Sequence, residues 1–282
     1  MPQIEAILTA ATMVAYAAGF ALSVAGLIIG KERLFRWGRW ATALGLLVHT
    51  GALTARTVVS GHLPIATPYE NATLAAWSIV LLTFLAPRRW RMYQAAGTGA
   101  VPLALVIIGW GLMGDTVASP MGVSLKSVWL YVHVFFAILA YAAFSIGAGA
   151  AAVLLIKHYR PDKGLSEKLP SLEELELVLF RYVVFGFLTE AVMIAAGSIW
   201  AKDLWGSYWS WDPVETWSLV SWLVYGVLIH LWVVHGWRGH RIAWVGLFAI
   251  VFVIIAYFGV GFLLQGTAHV FTVPPPPTFL GQ

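Results

Sequence analysis

Long apolar runs recur along the whole chain, and they constrain its fold more than any other feature. Each run has about eighteen or more residues with few charges, the length that a helix needs to cross a bilayer. Eight runs can be drawn, over residues 6–29, 39–59, 68–86, 94–113, 129–157, 180–200, 215–236 and 242–263. Only 11% of the 282 residues are charged, against about 25% in soluble proteins. The sequence therefore predicts an all-α, polytopic bundle of about eight transmembrane helices.

The basic residues between the runs predict how this bundle is oriented. Fourteen of the seventeen Lys and Arg residues lie in the first, third, fifth and seventh loops. By the positive-inside rule these loops face the cytoplasm, so both termini and the remaining loops are expected outside. The only cations on that outer side are Arg56, Lys126 and Lys202. The net charge of +4 is explained by the orientation of the helices in the membrane. The partner that it implies is therefore the lipid bilayer, and it gives no support to a nucleic-acid partner.

The chain as a whole, residues 1–282, is expected to form one integral membrane domain. The first run has no basic residue before it and continues through Ile29, so it is expected to be a helix rather than a cleaved signal peptide. Ser171 and Glu174 have the spacing of a capping box, which predicts a helix start within a cytoplasmic segment, residues 160–179. The segment is expected to be a surface helix that runs into the sixth run, or a simple linker.

Four histidines stand at two depths of the predicted bundle. His49 lies halfway along the second run, and His230 lies inside the seventh run, towards the cytoplasm. His133 is at the outer end of the fifth run, and His269 follows the eighth run, also outside. Ionisable residues inside a membrane are costly and usually functional. Since two facing neutral imidazoles can hold a haem iron, each level is predicted to bind a haem.

A tryptophan-rich segment, W-G-S-Y-W-S-W-D-P-V-E-T-W, covers residues 205–217 on the predicted outer side. An interfacial aromatic belt is the alternative explanation, but a belt does not need Trp205, Trp209, Trp211 and Trp217 so close together. Indole faces can pack against a large, flat, apolar ring with much buried area. The segment is therefore predicted to form one wall of an external haem platform.

The residues after the third tryptophan predict an abrupt helix start. Asp212 is placed as the N-cap, Pro213 as the first helical residue, and Glu215 as the reciprocal acid of a capping box. We expect Asp212 to position the aromatic wall, with no direct part in the chemistry.

The run from Trp205 to His230 closely resembles the tryptophan-rich WWD signature of haem-handling proteins in cytochrome c biogenesis. Its D-P-x-E-T-W form, with a histidine closing the next helix, is similar to the CcsA/ResC branch. S-G-H-L-P-I-A-T-P-Y-E, residues 60–70, and Y-F-G-V-G-F-L-L-Q-G-T-A-H, residues 257–269, resemble further parts of that family. The resemblance covers most of the chain from about residue 45 onward.

The resemblance implies a function and a set of haem ligands. Proteins of this family take haem b from the inner side and present it outside for covalent attachment to apocytochrome c. By position, His133 and His269 are implied as the outer ligands of the haem iron, and His49 and His230 as the ligands within the membrane. The chain would thus be the haem-handling subunit of a cytochrome c synthase, with no catalytic residue of its own.

One position departs from the family pattern. Val214 stands where many relatives have a lysine, so a basic partner for a haem propionate is missing there. Arg56, near the outer end of the second run, is the first choice to replace it. Its alternative role is to extend from the apolar run to the interface.

The partners follow from what the sequence lacks. It has no cysteine, so any thiol chemistry belongs to other proteins. The resemblance implies a CcsB/ResB-type membrane partner, which is needed for lyase activity, an apocytochrome c with a Cys-x-x-Cys-His segment, and outward-facing thiol reductants. The expected location is a bacterial cytoplasmic membrane or a thylakoid-like equivalent.

Three other functions stay open at this point. A membrane b-type cytochrome that exchanges electrons with quinol would also use histidine pairs at two levels. A solute permease with structural aromatic residues would bind no haem. A CcmC-type protein, which transfers haem to a haem chaperone, shares the aromatic motif, but the eight runs and the D-P-x-E-T-W form favour the CcsA/ResC branch.

Overall fold

The part of the chain that the structure describes folds into eight α-helices and one π-helical turn. The computed structural model describes residues 2–85, 90–118, 120–122, 125–160 and 169–259. The elements are α1 Pro2–Ile29, α2 Glu32–Ser60, α3 Pro68–Leu85, α4 Trp90–Gly111, α5 Val128–Tyr159, α6 Leu172–Trp205, α7 Pro213–Val233, α8 His240–Ile254 and the π-turn Ile255–Gly259. These ranges contain no strand. The predicted all-α bundle is confirmed.

Six of these helices are long and apolar enough to cross a membrane, namely α1, α2, α5, α6, α7 and α8 with part of its π-turn. The other two helices have shorter apolar stretches. Helix α3 has 18 residues and begins with a polar turn. In α4 the apolar stretch runs from Gly99 to Gly111. All eight helices lie where the apolar runs predict them. The last residues of the eighth run, 260–263, lie outside the described residues.

Helix α5 is the centre of the bundle, since it packs on α3, α4, α6 and α8. Its middle, residues 140–152, consists mostly of alanine and glycine. A Cβ on Gly99 of α4 would lie only 2.4 Å from the Cα of Gly149 in α5, so the two backbones touch. Membrane helices associate through such close contacts of small residues, because lipid tails supply no hydrophobic drive between helices. The small residues of α5 therefore set the close spacing of its neighbours.

One end of the bundle, here called the tryptophan end, carries residues 205–212. A small apolar cluster gathers there: Ile65 between α2 and α3, Met121 and Leu125 between α4 and α5, Leu130 at the start of α5, and Trp200 near the end of α6. The loops that the charge pattern predicts to share the outer side thus meet at one end of the molecule.

The opposite end, here called the basic end, joins the end of α5 to the starts of α6 and α8. His158 stacks on His240 with ring centroids 4.5 Å apart, and the backbone N–H of Gly239 donates to a carboxylate oxygen of Glu176 over 2.7 Å. The flanks of the predicted fifth and seventh loops therefore meet at one end. Which end faces outward stays a prediction from the positive-inside rule.

Helix α6 begins at the predicted capping box. The backbone N–H of Glu174 donates to Ser171 Oγ over 3.1 Å, and the N–H of Ser171 donates to Glu174 Oε2 over 2.9 Å. The helix then continues without a break for 34 residues. The acidic segment is thus continuous with the rest of α6. Its position along the cytoplasmic surface stays a prediction. Residues 161–168 of the predicted linker lie outside the described residues.

Candidate functional site

His133 stands near the start of α5, at the tryptophan end, and α6 holds its ring in place. Its Nδ1 lies 2.9 Å from the carbonyl oxygen of Met193. Because a carbonyl oxygen can only accept, Nδ1 carries the proton and donates it. In the neutral imidazole this tautomer places the lone pair on Nε2. Metal-binding histidines are commonly oriented in this way, by a hydrogen bond from the other ring nitrogen. The predicted outer ligand therefore has the tautomer that ligation through Nε2 needs.

Gly197 makes room for this ring. A Cβ at Gly197 would lie 2.7 Å from Nδ1 and 3.0 Å from Cε1 of His133, closer than a real contact allows. Gly197 follows Met193 by one helical turn, on the same face of α6. The carbonyl of Met193 and the gap at Gly197 together form a seat for the imidazole.

His133 also lines a cleft between α5, α6 and the start of α7. The other lining residues are Met193, Ile194, Gly197, Ser198, Trp200 and Ala201 on α6, Trp209 in the following loop, and Val214, Glu215 and Ser218 on α7. The cleft thus places an oriented imidazole next to indole rings, in a largely apolar space at one end of a membrane bundle.

The loop between α6 and α7 is compact. Helix α6 ends at Trp205, and Gly206 caps it with φ 79°, a left-handed conformation that glycine adopts without strain. The Ser207 hydroxyl donates to the carbonyl of Trp209 over 2.9 Å. Trp211 has φ 59°, which is uncommon for a large side chain. These features turn the chain sharply twice within a few residues and bring Trp209 over the cleft.

One carboxylate anchors this loop to α7. Glu215 Oε2 accepts the backbone N–H of Ser210 over 2.8 Å, the Ser210 hydroxyl over 3.2 Å, and the backbone N–H of Asp212 over 3.2 Å. Asp212 Oδ1 in turn accepts the N–H of Val214 over 2.8 Å. Asp212 is the N-cap and Pro213 the first residue of α7, so the predicted capping box is confirmed.

Replacing Asp212 by alanine is expected to destabilise the protein by about 1 kcal/mol, the usual cost of losing an N-cap side chain. Thermal unfolding of the purified protein in detergent measures this effect. Asp212→Asn is the matched control, because asparagine caps a helix as well as aspartate does. An Asn variant as unstable as the Ala variant would show that the cap is not what Asp212 contributes.

The four tryptophans of the predicted wall lie in different surroundings. Trp205 packs on Trp200, with ring centroids 5.6 Å apart, and Trp217 packs towards α8. Trp211 is 69% exposed and meets Trp209 edge-on at 5.8 Å. Of the four, only Trp209 is among the residues that line the described cleft. A wall made of all four rings stays a prediction.

The two predicted inner ligands lie on helices that do not pack together. His49 is buried in α2, with Nδ1 3.2 Å from the hydroxyl of Tyr16 in α1, and its Nε2 has no partner among the described residues. His230 is exposed on α7, beside His235. Helix α2 packs on α1 and α3, whereas α7 packs on α6 and α8. The inner pair stays a prediction, as does the outer pair, since His269 lies outside the described residues.

Arg56, the predicted propionate partner, is buried within the tryptophan end. Its Nε lies 2.8 Å from a carboxylate oxygen of Glu70, and its Nη1 lies 3.5 Å from Glu5. The guanidinium also donates to the carbonyls of Thr116 and Val117. Its role in binding a propionate stays a prediction, and it would require the guanidinium to leave these partners.

Sequence reasoning missed a buried carboxyl group in α6. Glu190 is fully buried and accepts a hydrogen bond from the hydroxyl of Ser221 in α7. The Ser221 hydroxyl oxygen also lies 3.0 Å from the carbonyl oxygen of Ser218, whose residue lines the cleft. The available signal was an acidic residue inside an apolar run, the same signal that singled out the histidines.

The chain is similar to CcsA proteins over most of its length. It is 32% identical over 254 residues to the cytochrome c biogenesis protein CcsA of Synechococcus sp. (strain CC9902), covering 80% of this chain and 83% of that relative. It is 31% identical over 265 residues to CcsA of Guillardia theta, covering 86% and 88%. With CcsA of Gloeobacter violaceus it shares 30% identity over 290 residues, covering 83% and 86%.

Among solved structures, the bundle is similar to Cytochrome c Heme Lyase CcmF, with a TM-score of 0.70 and 19% sequence identity. The match covers 91% of this chain and 46% of that one, so the chain spans about half the length of that structure. At this identity the likeness concerns the fold alone. The family described as Cytochrome C assembly protein matches residues 65–268. The chain therefore belongs to the cytochrome c assembly protein family, among its CcsA-type members.

Proposed function

We propose that this protein binds haem in the cleft beside His133 and presents it at the outer face of the membrane for attachment to apocytochrome c. The observation that carries the proposal is the seat of His133, whose Nδ1 donates to Met193 while its ring lines the cleft. An imidazole held in this tautomer can ligate iron through Nε2. His269 is proposed as the second outer ligand.

The similar proteins support a role for the bound haem in cytochrome c biogenesis. The similar sequences are named cytochrome c biogenesis proteins, and the similar structure is named a cytochrome c haem lyase. We therefore favour haem presentation over electron exchange with quinol and over solute transport. Transfer to a small haem chaperone, as in CcmC-type proteins, is the closest alternative in chemistry.

The inner level is proposed to receive haem before it reaches the cleft. His49 supports this, because its Nε2 is buried without a partner among the described residues, which is unusual for a polar atom. His230 is exposed on α7, where haem that arrives through the lipid or from a partner can reach it. Haem would then pass from the level of His49 and His230 to the level of His133 and His269.

The attachment reaction itself needs groups that this chain does not supply. Each thiol of a Cys-x-x-Cys-His segment adds its S–H across a vinyl C=C bond of haem, so that a C–S and a C–H bond form and nothing is released. The 282 residues contain no cysteine, so a CcsB/ResB-type partner and outward-facing thiol reductants are proposed to complete the system. The histidine of the segment would then displace an outer ligand and release the product.

Replacing His133 by glycine is expected to abolish the bis-histidine spectrum of haem at the outer level, because one axial ligand is lost. Absorption spectra of the full-length protein, purified from haem-replete membranes, measure the effect. Added imidazole should fill the space and restore the spectrum, which separates the loss of a ligand from misfolding. A parent protein without haem, or a His133→Gly variant with the parent's spectrum, would contradict the proposal.

Co-expression with a CcsB/ResB-type partner and a Cys-x-x-Cys-His reporter distinguishes biogenesis from electron transfer. Covalent haem on the reporter is expected only when both membrane proteins are present. Rapid reduction of bound haem by quinol, without any reporter product, would favour the b-type cytochrome instead.

A further inference from the structure

The carboxyl group of Glu190 is buried in the middle of α6 without a positive partner. It is fully shielded from solvent, and among the described residues no lysine, arginine or histidine forms an ion pair with it. Its Oε1 accepts from the hydroxyl of Ser221 in α7, whereas Oε2 has no hydrogen-bond partner in the described part of the chain. Because a lone carboxylate is costly inside a membrane bundle, the group is expected to carry a proton there.

Glu70 is the opposite case. Its side chain is as fully buried as that of Glu190, but Nε of Arg56 lies 2.8 Å from its Oε1. The backbone N–H groups of Ala66 and Thr67 donate to its Oε2. The bundle therefore holds two buried carboxyl groups, of which one is stabilised as an anion and the other is not.

No charged group compensates Glu190 from the helices that pack on α6. The titratable side chains that face it are Tyr141 of α5 and Tyr225 of α7, and the Tyr225 hydroxyl is also buried without a partner among the described residues. Helices α4 and α8 pack on α6 as well. The described side chains of α4, residues 99–111, include no ionisable group, and α8 has ionisable residues only at its first two positions, at the basic end.

Glu190 stands directly behind the wall of the cleft. The hydroxyl oxygen of Ser221, which donates to Glu190, also lies 3.0 Å from the carbonyl oxygen of Ser218, and Ser218 lines the cleft. Along α6, Met193 follows Glu190 by three residues, lines the cleft and holds the ring of His133 through its carbonyl. Charges interact strongly across a low-dielectric interior. A positive charge that enters the cleft therefore lowers the free energy of ionising Glu190.

We propose that Glu190 exchanges a proton and thereby balances the charge of the haem iron in the cleft. The inference rests on the proposed function. Ferric haem carries one positive charge more than ferrous haem, so the ferric state favours an ionised Glu190 and the ferrous state a protonated one. When an external reductant such as dithionite gives one electron to the iron, Glu190 takes up one proton from the solvent. The net charge of the cleft and its wall then stays constant.

Carbodiimide labelling tests the exchangeable proton in the absence of haem. Dicyclohexylcarbodiimide is apolar and adds to protonated carboxyl groups, forming an N-acylurea from which nothing is released. The full-length protein in detergent is expected to be labelled at Glu190, with a yield that falls as the pH rises, and peptide mass spectrometry locates the label. Glu70 is the matched control, because it is equally buried but paired with Arg56 and should stay unlabelled. Glu190 without label at every pH, or equal labelling of Glu70, would overturn the proposal.

Redox titration of the haem-loaded protein tests the link to the iron, with absorption spectra as the readout. In the parent, the ratio of reduced to oxidised haem at a fixed potential should fall by up to about tenfold per pH unit, the limit for one proton per electron. Glu190→Gln has the same shape and can accept from Ser221 but exchanges no proton, so the dependence on pH should be weaker. Asp203→Asn makes the same change from acid to amide at an exposed position of α6. This control should keep the dependence of the parent.

The outcomes separate the inference from the proposed function. A parent that binds no haem would contradict the proposed function, whereas the labelling of Glu190 does not depend on haem. A labelled Glu190 together with an unchanged pH dependence in Glu190→Gln would contradict only the charge balance. An equal loss of the pH dependence in Asp203→Asn would also overturn it, since any carboxyl group of α6 would then have the same effect.

Discussion

Replacing Arg56 by methionine is expected to destabilise the bundle by about 3–5 kcal/mol, because it leaves buried carboxylates without their cation. Arg56 is only 2% exposed. Its guanidinium links the end of α2 to Glu70 at the start of α3, to Glu5 in the first turns of α1, and to the segment after α4. The loss should therefore loosen four parts of the tryptophan end together. Thermal or denaturant unfolding of the purified protein measures it.

Lys202→Met is the matched control for this effect. Lys202 lies at the same end of the bundle but is exposed, and it makes one hydrogen bond, to the carbonyl of Gly206. Its replacement is expected to change the stability by no more than about 0.5 kcal/mol. Combining Arg56→Met with Glu70→Gln should recover part of the loss, since one buried charge is then removed as well. Equal stabilities of Arg56→Met and Lys202→Met would show that the buried network contributes nothing.

Replacing Gly197 by alanine is expected to weaken haem binding at the outer level roughly 10- to 100-fold, as is usual when the group that orients a metal-binding histidine is lost. The new Cβ would lie 2.7 Å from Nδ1 of His133, so the ring must move away from the carbonyl of Met193. A side chain can rotate where a backbone cannot, so the helix pair itself should remain folded. Haem titration followed by Soret absorption, with unfolding in parallel, separates the two effects.

Gly109→Ala controls for the change from glycine to alanine inside a helix. A Cβ at Gly109 in α4 meets no atom within 4 Å. Haem binding should be unchanged there, and stability should rise by roughly 0.5–1 kcal/mol, because glycine is the poorer helix former. A Gly197→Ala variant that binds haem as the parent does would mean that the seat of His133 is not needed for ligation.

The helices and both capping boxes could be predicted because their signals are local. An apolar run of membrane length defines a helix wherever it occurs, and a cap depends on residues three positions apart, as at Ser171 and Asp212. The confirmed features of the fold are all of this kind. The family could also be predicted, since the aromatic motif is a continuous stretch of sequence.

The partners of individual side chains could not be predicted, because they come from distant parts of the chain. The bond from His133 to Met193 joins residues 60 positions apart, and only the packing of α5 on α6 reveals that Gly197 is part of the same seat. The sequence predicts Arg56 as a partner for a propionate, because it shows the charge of Arg56 but not the two acids beside it, Glu70 and Glu5. The depths of His49 and His230 stay predictions from their apolar runs, and the neighbours of their helices, α2 and α7, could not be predicted from the sequence.

The single carboxylate of Glu215 makes the start of α7 and the preceding loop cooperative. It accepts three hydrogen bonds from Ser210 and Asp212 while it serves as the reciprocal acid of the helix cap. The first turn of α7 and the turn that carries Trp209 therefore order as one unit, and neither can fray without the other. A substitution at any of these residues should therefore destabilise the loop and the first turn of α7 together. Replacement of Glu215 should have the largest effect.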